Sequence, residues 1–343
     1  RIQVVPNDQK DRLVPDLLQV SPQVLERDEI ARQPVPGSRL RTRAFIKVQD
    51  GCDNRCTFCI TTVARGAGRS YPLEQVQEEV EIALRAGVQE IVLTGVHLGS
   101  WGHDFDQPQH LRDLIAGLLK NPDIPRLRVS SLEPWDLDED FFSLWQDARM
   151  CRHLHLPLQS GSASVLRRMA RKITPEKFTE LVASAHRHIP DVAVTTDLIA
   201  GFPGETEEEF AEGLAFVESI QFAGAHVFTY SARPGTAAAR MPDQVHNYLR
   251  KERSAILREA ADRSAQAYRE QFLGQQLEVL WESAYPAEED AKWQLSGLTD
   301  NYLRVQTEAD VPLSNQITPA VLTAINQNPA YFFGKITQYP DTI

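Results

Sequence analysis

The sequence has few cysteines, and their placement limits the metal chemistry open to it. Of four cysteines in 343 residues, Cys52, Cys56 and Cys59 lie within eight residues and Cys151 is isolated. A structural zinc site takes four ligands, usually in two separate Cys or His pairs, and no second pair is present. Three clustered thiols also cannot pair evenly as disulfides. The pattern therefore favours a 4Fe-4S cluster, which takes one cysteine per iron and leaves its fourth iron open to a ligand.

Long apolar runs and an excess of positive charge are also missing. No run approaches the roughly 20 apolar residues of a membrane-spanning helix, and no secretory signal is present. We therefore expect a cytoplasmic protein, in a compartment that keeps thiols reduced. The formal net charge of -11 argues against a generally basic nucleic-acid coat, so contact with RNA has to come from local basic patches.

Between residues 43 and 228, short apolar strands alternate with helical segments. Helix starts are indicated at Pro72, at Thr174, which precedes a proline, and at the acidic segment after Gly204. The strand candidates are residues 43–49, 89–95, 126–132, 153–159, 192–199 and 224–230. Six strand–helix units predict an α/β domain with a partial barrel rather than a closed eightfold one.

Alternation within these strands separates two faces of the sheet, because residues two apart point to the same side. Ile46, Leu127 and Leu154 belong to an apolar face that suits packing against helices. The opposite face carries Lys, Gln, Thr, Arg, Ser, His and Asp, where a filled barrel has Val, Ile and Leu. We therefore predict a wet, ligand-holding lumen, with the cysteine loop at the carboxyl-terminal mouth of the first strand.

The last third of the chain changes character. Residues 245–272 read as one long amphipathic helix, and short strands follow at 277–281, 293–298, 302–307 and 331–336. These strands predict a small β-barrel. The aromatic residues of this barrel could stack on RNA bases or fill its core. The candidates for stacking on bases are Trp281, Trp293, Tyr302 and the cation Arg304. Acidic residues nearby, Glu288 among them, weaken the RNA interpretation.

The cysteine spacing, with Phe58 before the last cysteine, resembles the signature of the radical S-adenosylmethionine (radical SAM) superfamily. Further segments resemble its methylthiotransferase branch from about residue 39 onward: Arg65-Gly66, Thr94-Gly95-Val96-His97, Leu156-Pro-Leu-Gln-Ser-Gly-Ser162, Asp197 and Gly201-Phe-Pro-Gly-Glu-Thr206. Within that branch, Ala64-Arg-Gly66 and Gly95-Val-His97 are most similar to the group that modifies N6-threonylcarbamoyladenosine in tRNA.

This resemblance implies a domain organisation. Residues 39–272 would form a partial (β/α)6 radical SAM barrel, and residues 273–343 a small all-β barrel like the RNA-binding TRAM domain. Residues 1–38 read as a proline-containing linker and the remnant of an N-terminal domain. In the family that domain holds three further cysteines, so a second 4Fe-4S cluster is expected only in a longer form of the protein.

The resemblance also implies a reaction. Cys52, Cys56 and Cys59 would hold a 4Fe-4S cluster that binds S-adenosylmethionine and cleaves it with one electron from a cellular donor. The resulting 5'-deoxyadenosyl radical would remove hydrogen from C2 of the modified adenosine next to the tRNA anticodon, where a methylthio group is added. Two alternatives stay open: a sister enzyme acting on isopentenyladenosine in tRNA or on an aspartate of a ribosomal protein, and a non-catalytic tRNA-binding fragment.

Site residues follow from the same resemblance and from strand parity. The residues expected to line the cofactor pocket are Phe58, Thr94, Gly95, Ser130, Gln159, Asp197 and Phe202. Those expected to contact tRNA phosphates are Arg65, Arg69, Arg167, Arg168, Arg171 and Lys172. An alternative role for Gln159 and Asp197 is to form hydrogen bonds with the residues that contact the cofactor. His97 and His155 are expected to form hydrogen bonds rather than act as acid and base, and Cys151 to stay outside the cluster.

Overall fold

The structure is a computed structural model that describes residue 9 and residues 12–21, 42–287 and 292–340. Most of the segment predicted to be a linker, including Pro22, Pro34 and Pro36, lies outside the described residues, as does the acidic group at Glu288. Within the described part of that segment, Leu13–Leu18 form a short helix, α1. No described helix is long and apolar enough to cross a membrane.

Six parallel strands form the centre of the α/β domain, and a separate pair of short antiparallel strands lies near the cysteines. The strands are Arg43–Lys47 (β1), Gln49–Asp50 (β2), Arg69–Ser70 (β3), Glu90–Thr94 (β4), Leu127–Val129 (β5), His153–His155 (β6), Ala193–Ala200 (β7) and Gly224–Thr229 (β8). The parallel strands form two sheets, β1-β4-β5 and β6-β7-β8. Isolated bridges between Leu127 and Met150 and between Ser131 and His155 connect the two sheets at β5 and β6. Since β1 and β8 do not pair in the described chain, the barrel is partial and open, which confirms the predicted fold class.

Helices follow these strands and cover the outer face. They are Thr61–Arg65 (α2), Leu73–Arg85 (α3), Leu111–Leu118 (α4), Glu139–Phe142 (α5), Ala163–Arg168 (α6), Pro175–His188 (α7), Glu207–Ile220 (α8) and Asn247–Glu270 (α9). The predicted starts are confirmed by their caps. Pro72 is the N-cap of α3, the Thr174 side chain accepts a hydrogen bond from the Lys177 backbone N–H, and Thr206 and Glu209 form a reciprocal capping box on α8.

The two faces of the sheet differ as the alternation predicted. Ile46, Leu127 and Leu154 are buried in one apolar cluster with residues of the surrounding helices. The opposite face borders the lumen, where Phe45 is 58% exposed and Thr195 and Asp197 are half-buried. The outer face therefore supplies the core, and the lumen remains open to solvent and ligands.

A closed five-stranded barrel forms the C-terminal part. Its strands are Gln276–Pro286 (β9), Trp293–Thr299 (β10), Arg304–Ala309 (β11), Ile317–Gln327 (β12) and Ala330–Ile336 (β13), in the order β10-β11-β13-β12-β9. The barrel was predicted, but β12 was not. That strand contains Pro319, which cannot donate a hydrogen bond to a sheet, and a run with a proline is normally taken as a connection.

The predicted base-stacking residues of this barrel are only partly available. Trp281 is fully buried, and its indole N–H donates to the Thr318 hydroxyl at 2.7 Å. The stacking role is therefore wrong for Trp281, which belongs to the core. Tyr302 is 45% exposed, but its ring stacks on His153 of the α/β domain at 4.6 Å between centroids.

The C-terminal barrel docks against the amino-terminal ends of the parallel strands. Arg128 of β5 donates to the Asp300 carbonyl at 2.9 Å, and Arg126 donates to the Glu278 carbonyl at 2.9 Å. Arg152 holds both carboxylate oxygens of Asp300, at 2.6 and 3.0 Å. The lower end of the lumen is therefore closed by this barrel, while the carboxyl-terminal end stays open.

Candidate active site

The three clustered cysteines lie on an irregular loop that follows β1 and β2 at the open end of the barrel. Gly51 starts the loop with φ +75, and a Cβ there would overlap the Ala67 carbonyl, so glycine is required. The Cys52 N–H donates to the Gly66 carbonyl at 3.1 Å. Further along, the Thr57 N–H donates to the carbonyl of Met169, just after α6, at 3.0 Å. Backbone contacts on both sides thus fix the loop at the mouth.

Hydrogen-bond donors surround the sulfur atoms. The Asn54 N–H points to Cys52 Sγ at 3.4 Å, and the Thr61 N–H points to Cys59 Sγ at 3.4 Å. Arg171 Nη1 lies 3.7 Å from Cys56 Sγ. Burial raises the pKa of the Cys56 thiol, and the positive charge of Arg171 acts in the opposite direction. Such donors stabilise thiolates, the form in which cysteine binds a metal.

A buried histidine lies beside the first cysteine. His97 Nε2 is 2.7 Å from Asp136 Oδ2, and the His97 backbone N–H donates to Gln49 Oε1 at 2.8 Å. Burial by itself lowers the pKa of His97, but hydrogen bonds with Asp136 and Cys52 raise it to about 9. The geometry agrees with the hydrogen-bonding role expected for His97. No pattern in the sequence pointed to Asp136.

Two aromatic residues predicted near the cofactor come together in a small apolar cluster. Phe202 is fully buried and packs with Val165, Met169, Tyr230 and Ala238, against which Phe58 is partly buried. The ring of Phe202 meets that of Tyr230 edge to face at 5.5 Å. The cluster forms an apolar wall behind the cysteine loop. Because Phe202 has no exposed surface, it supports this wall from within.

Four of the other predicted pocket residues lie where parallel strands end, and Asp197 lies within β7. Thr94 closes β4, and its hydroxyl donates to the Ile46 carbonyl at 3.2 Å; Gly95 follows it, and Ser130 follows β5. Gln159 has φ 78, an uncommon conformation that is concentrated at functional sites, and its N–H donates to the Asp197 carbonyl at 2.8 Å. The fold therefore brings these polar groups to the edge where the cysteine loop lies, as carboxyl ends of parallel strands do.

The predicted phosphate-binding residues separate into two groups. Arg171 is buried: its guanidinium binds Glu133 at 2.7 and 3.2 Å, bonds the Pro157 carbonyl and covers the Trp135 ring. Arg168 holds both carboxylate oxygens of Glu209, at 2.8 and 2.6 Å. The phosphate-binding prediction is therefore corrected for Arg171, whose guanidinium no backbone phosphate can reach.

The remaining basic residues are exposed around the mouth. Arg65 is exposed and lies 3.5 Å from Asp50. The following residues, which we call the rim cations, are exposed and have no ion-pair partner in the described chain: Arg55, Arg69, Arg167, Lys172 and Arg233. Sequence reasoning missed Arg55, which lies inside the cysteine loop, and Arg233. The latter follows β8, in a turn where Gly235 lies near Ile60 of the cysteine loop.

Two curated proteins match most of the chain in sequence. The chain is 42% identical over 272 residues to the threonylcarbamoyladenosine tRNA methylthiotransferase MtaB of Bacillus subtilis, covering 79% of this chain and 60% of that protein. It is 39% identical to the tRNA-2-methylthio-N(6)-dimethylallyladenosine synthase of Acetivibrio thermocellus, covering 80% of this chain and 57% of that protein. The chain thus spans less than two thirds of the length of these curated relatives.

Solved structures show the same fold at lower identity. The radical S-adenosylmethionine methyltransferase TsrM from Kitasatospora setae, with tryptophan substrate and a SAM analogue bound, is 19% identical with a TM-score of 0.50. The match covers 59% of this chain and 38% of that one. A family model described as the radical SAM superfamily matches residues 46–217. With half of its length matched by that model and the three cysteines at the mouth of the open barrel, the chain belongs to the radical SAM superfamily.

Proposed function

We propose that this chain is a radical SAM methylthiotransferase that adds a methylthio group to C2 of N6-threonylcarbamoyladenosine next to the tRNA anticodon. The observation that carries the proposal is the loop with Cys52, Cys56 and Cys59 at the mouth of an open barrel, in a chain of this superfamily. The relative with 42% identity that carries this activity in its name supports the choice of reaction.

The residues of the loop fit a 4Fe-4S cluster. All three thiols are free, and backbone N–H groups and the Arg171 guanidinium are placed to stabilise them as thiolates. In the described chain no three His, Cys, Asp or Glu side chains are close enough together to hold a single metal ion. A cubane cluster sets a different requirement, because each cysteine binds its own iron. Cys52, Cys56 and Cys59 would be those ligands, while Cys151 is buried at the opposite end.

When bound, the cluster with S-adenosylmethionine would supply one-electron cleavage of a carbon–sulfur bond and hydrogen abstraction from an unactivated carbon. The protein's own residues bind and shield. The apolar wall of Phe58 and Phe202 excludes water from the back of the loop, which protects a reactive intermediate from side reactions. Polar groups of Thr94, Gly95, Ser130 and Gln159 at the strand ends, and of Asp197 within β7, would bind and orient the cofactor.

Contact with tRNA would be made by the rim cations. Arg55 lies in the cysteine loop, and Arg167 and Arg233 lie in segments that contact it, so phosphates bound there would place a nucleotide over the lumen. The overall charge of -11 makes such local groups necessary for RNA binding. The C-terminal barrel, which we assign as TRAM-like, would add contacts through the exposed aromatics Tyr285, Phe333 and Tyr339, since exposed rings offer stacking surfaces for bases.

Anaerobic reconstitution followed by nucleoside analysis tests the proposal. The chain would be supplied with iron, sulfide, reductant and S-adenosylmethionine, and incubated with two tRNAs, one carrying N6-threonylcarbamoyladenosine and one carrying the dimethylallyl modification. We expect formation of 5'-deoxyadenosine, and we expect any methylthio product on the threonylcarbamoyl tRNA. A matched Cys52→Ala sample is the control, because it lacks one cluster ligand.

The other outcomes decide between the alternatives. A methylthio product only on the dimethylallyl tRNA would replace the proposed substrate by that of the relative with 39% identity. Binding of tRNA without any 5'-deoxyadenosine, in a sample with its full iron content, would contradict an enzymatic role.

A further inference from the structure

A chain of three hydrogen-bonded side chains runs along the lumen face of β6 and β7, and the carboxylate of a fourth residue, Asp197, lies within ion-pair distance of its upper end. We call His153, Thr195, His155 and Asp197 the lumen chain. Thr195 Oγ1 lies 2.9 Å from His153 Nε2 and 2.9 Å from His155 Nδ1. His155 Nε2 lies 3.4 Å from Asp197 Oδ2. The parallel register, which pairs His155 with Thr195, brings these side chains to one face.

Because of the Thr195 hydroxyl, hydrogen-bond donation along the lumen chain can run in only one of two directions. A hydroxyl has a single proton, so Thr195 donates to one ring and accepts an N–H from the other. In the first direction, His153 Nε2–H donates to Thr195, which donates to His155 Nδ1; the proton of a neutral His155 is then on Nε2, facing Asp197. In the second direction every proton is reversed.

The second direction carries two penalties. It would place the proton of His153 on Nδ1, and that atom is buried and has no hydrogen-bond partner in the described chain. A buried N–H without a partner is destabilising, because it loses its hydrogen bond to water and gains none in the protein. It would also leave a bare nitrogen of His155 facing the Asp197 carboxylate. Burial, with Arg128 nearby, lowers the pKa of His153 well below its usual value, so this ring is neutral and has only one proton to place.

The lower end of the lumen chain is anchored by the C-terminal barrel. The Tyr302 ring lies parallel to that of His153, with 4.6 Å between centroids and 11° between planes. The Arg128 guanidinium lies over the Tyr302 ring, 5.0 Å from its centroid. Arg128 and His153 both belong to the lumen face, so Tyr302 forms part of its floor. The barrel thereby limits how His153 can turn.

We propose that His155 is a positioning residue, held as the Nε2–H tautomer by Thr195 and His153, which donates to Asp197 and fixes that carboxylate toward the cofactor pocket. The inference rests on the proposed function only in taking Asp197 as part of the S-adenosylmethionine site.

Nitrogen NMR of histidine measures the tautomer directly. In the reconstituted chain labelled with 15N-histidine, a His155→Gln variant assigns the His155 signals by their loss. We expect a bare Nδ1 and a protonated Nε2 for His155. Thr195→Val, which removes the hydroxyl at nearly constant size, should give a mixture of tautomers and weaken S-adenosylmethionine binding about three- to tenfold, as expected for one hydrogen bond. Thr195→Ser should restore both.

The conservative variants keep the test decisive. Tyr302→Phe retains the ring and should leave the His155 signals unchanged. A proton on Nδ1 of His155 in the unaltered chain, or an unchanged tautomer in Thr195→Val, would overturn the proposal. The NMR result requires no tRNA. A chain with the expected tautomer that forms no 5'-deoxyadenosine would therefore contradict the proposed function while leaving this inference intact.

Discussion

The two ends of the same parallel strands differ in how polar side chains are placed: at the closed end charged groups are buried in pairs, and at the open end cysteine and arginine side chains are exposed. At the closed end, Glu90 and Arg128 are 0% and 3% exposed and joined by two hydrogen bonds of 2.7 and 3.1 Å. At the open end, Cys59 and Arg167 are exposed. Buried charges are tolerated only when they are paired, so the closed end is built for docking the C-terminal barrel. The open end keeps donors and thiols for ligands.

The largest expected difference between the two ends concerns cysteine. Cys52→Ala, at the open end, should abolish binding of about four irons per chain and with it the reductive cleavage of S-adenosylmethionine. Cys151→Ala, at the closed end, should leave both unchanged, because burial raises the pKa of Cys151 to about 12 and keeps it a neutral thiol. Iron analysis and 5'-deoxyadenosine yield check this. Cleavage retained by Cys52→Ala would remove it from the ligand set.

The next effect concerns the paired charges of the closed end. Arg128→Met leaves the Glu90 carboxylate buried without its partner and should lower the free energy of unfolding by about 3–5 kcal/mol, measured by urea unfolding. Adding Glu90→Gln removes the unpaired charge and should recover much of this loss. The loss of unfolding free energy in Arg128→Met should become smaller in acid. Burial raises the pKa of Glu90, but Arg128 outweighs this and lowers it. The ion pair therefore stabilises the folded state fully above the unfolded pKa of about 4.3, and this stabilisation is lost as the pH falls below it. An equal deficit in single and double variants would argue for lost packing instead.

Basic residues at the open end give the third comparison. Replacing Arg167 and Lys172 together with Ala should weaken tRNA binding and reduce its salt dependence by about one unit of slope per lost phosphate contact. Arg171→Ala should lower stability, because it leaves Glu133 without its partner, and should not flatten the slope through lost phosphate contacts. Filter binding over a salt series measures both. A slope reduced only by Arg171→Ala would reverse the assignment.

The smallest effect concerns Glu209, the partner of Arg168. The hydrogen bond from Arg168 lowers the pKa of Glu209 to about 2. Its stabilising contribution is therefore present above the unfolded pKa of about 4.3 and lost as the pH falls toward 2. Glu209→Gln should cost at most about 1 kcal/mol at pH 7, and this difference should narrow in urea unfolding curves below pH 4. A difference independent of pH would assign the cost to the capping box of α8.

Much of the α/β domain follows from local sequence signals. Six strand candidates and three helix starts were predicted, because periodicity and capping residues act over a few neighbours. Predictions were weaker for side chains whose partners are distant. The sequence predicts Arg171 as a phosphate ligand, yet Glu133 and Trp135, more than 30 residues away in sequence, bury it. The strand containing Pro319 was missed because the closed barrel tolerates a proline that local rules exclude.

The sequence by itself determined the cysteine loop, the superfamily it resembles and the polar character of the lumen, since these depend on residue type and spacing along one segment. Only the tertiary structure decided which charges are paired and which are exposed. It buried Arg171 while leaving Arg167 exposed, joined His97 to Asp136, and set Tyr302 on His153. Pairing and burial depend on distances between elements far apart in the chain, and no local pattern records those distances.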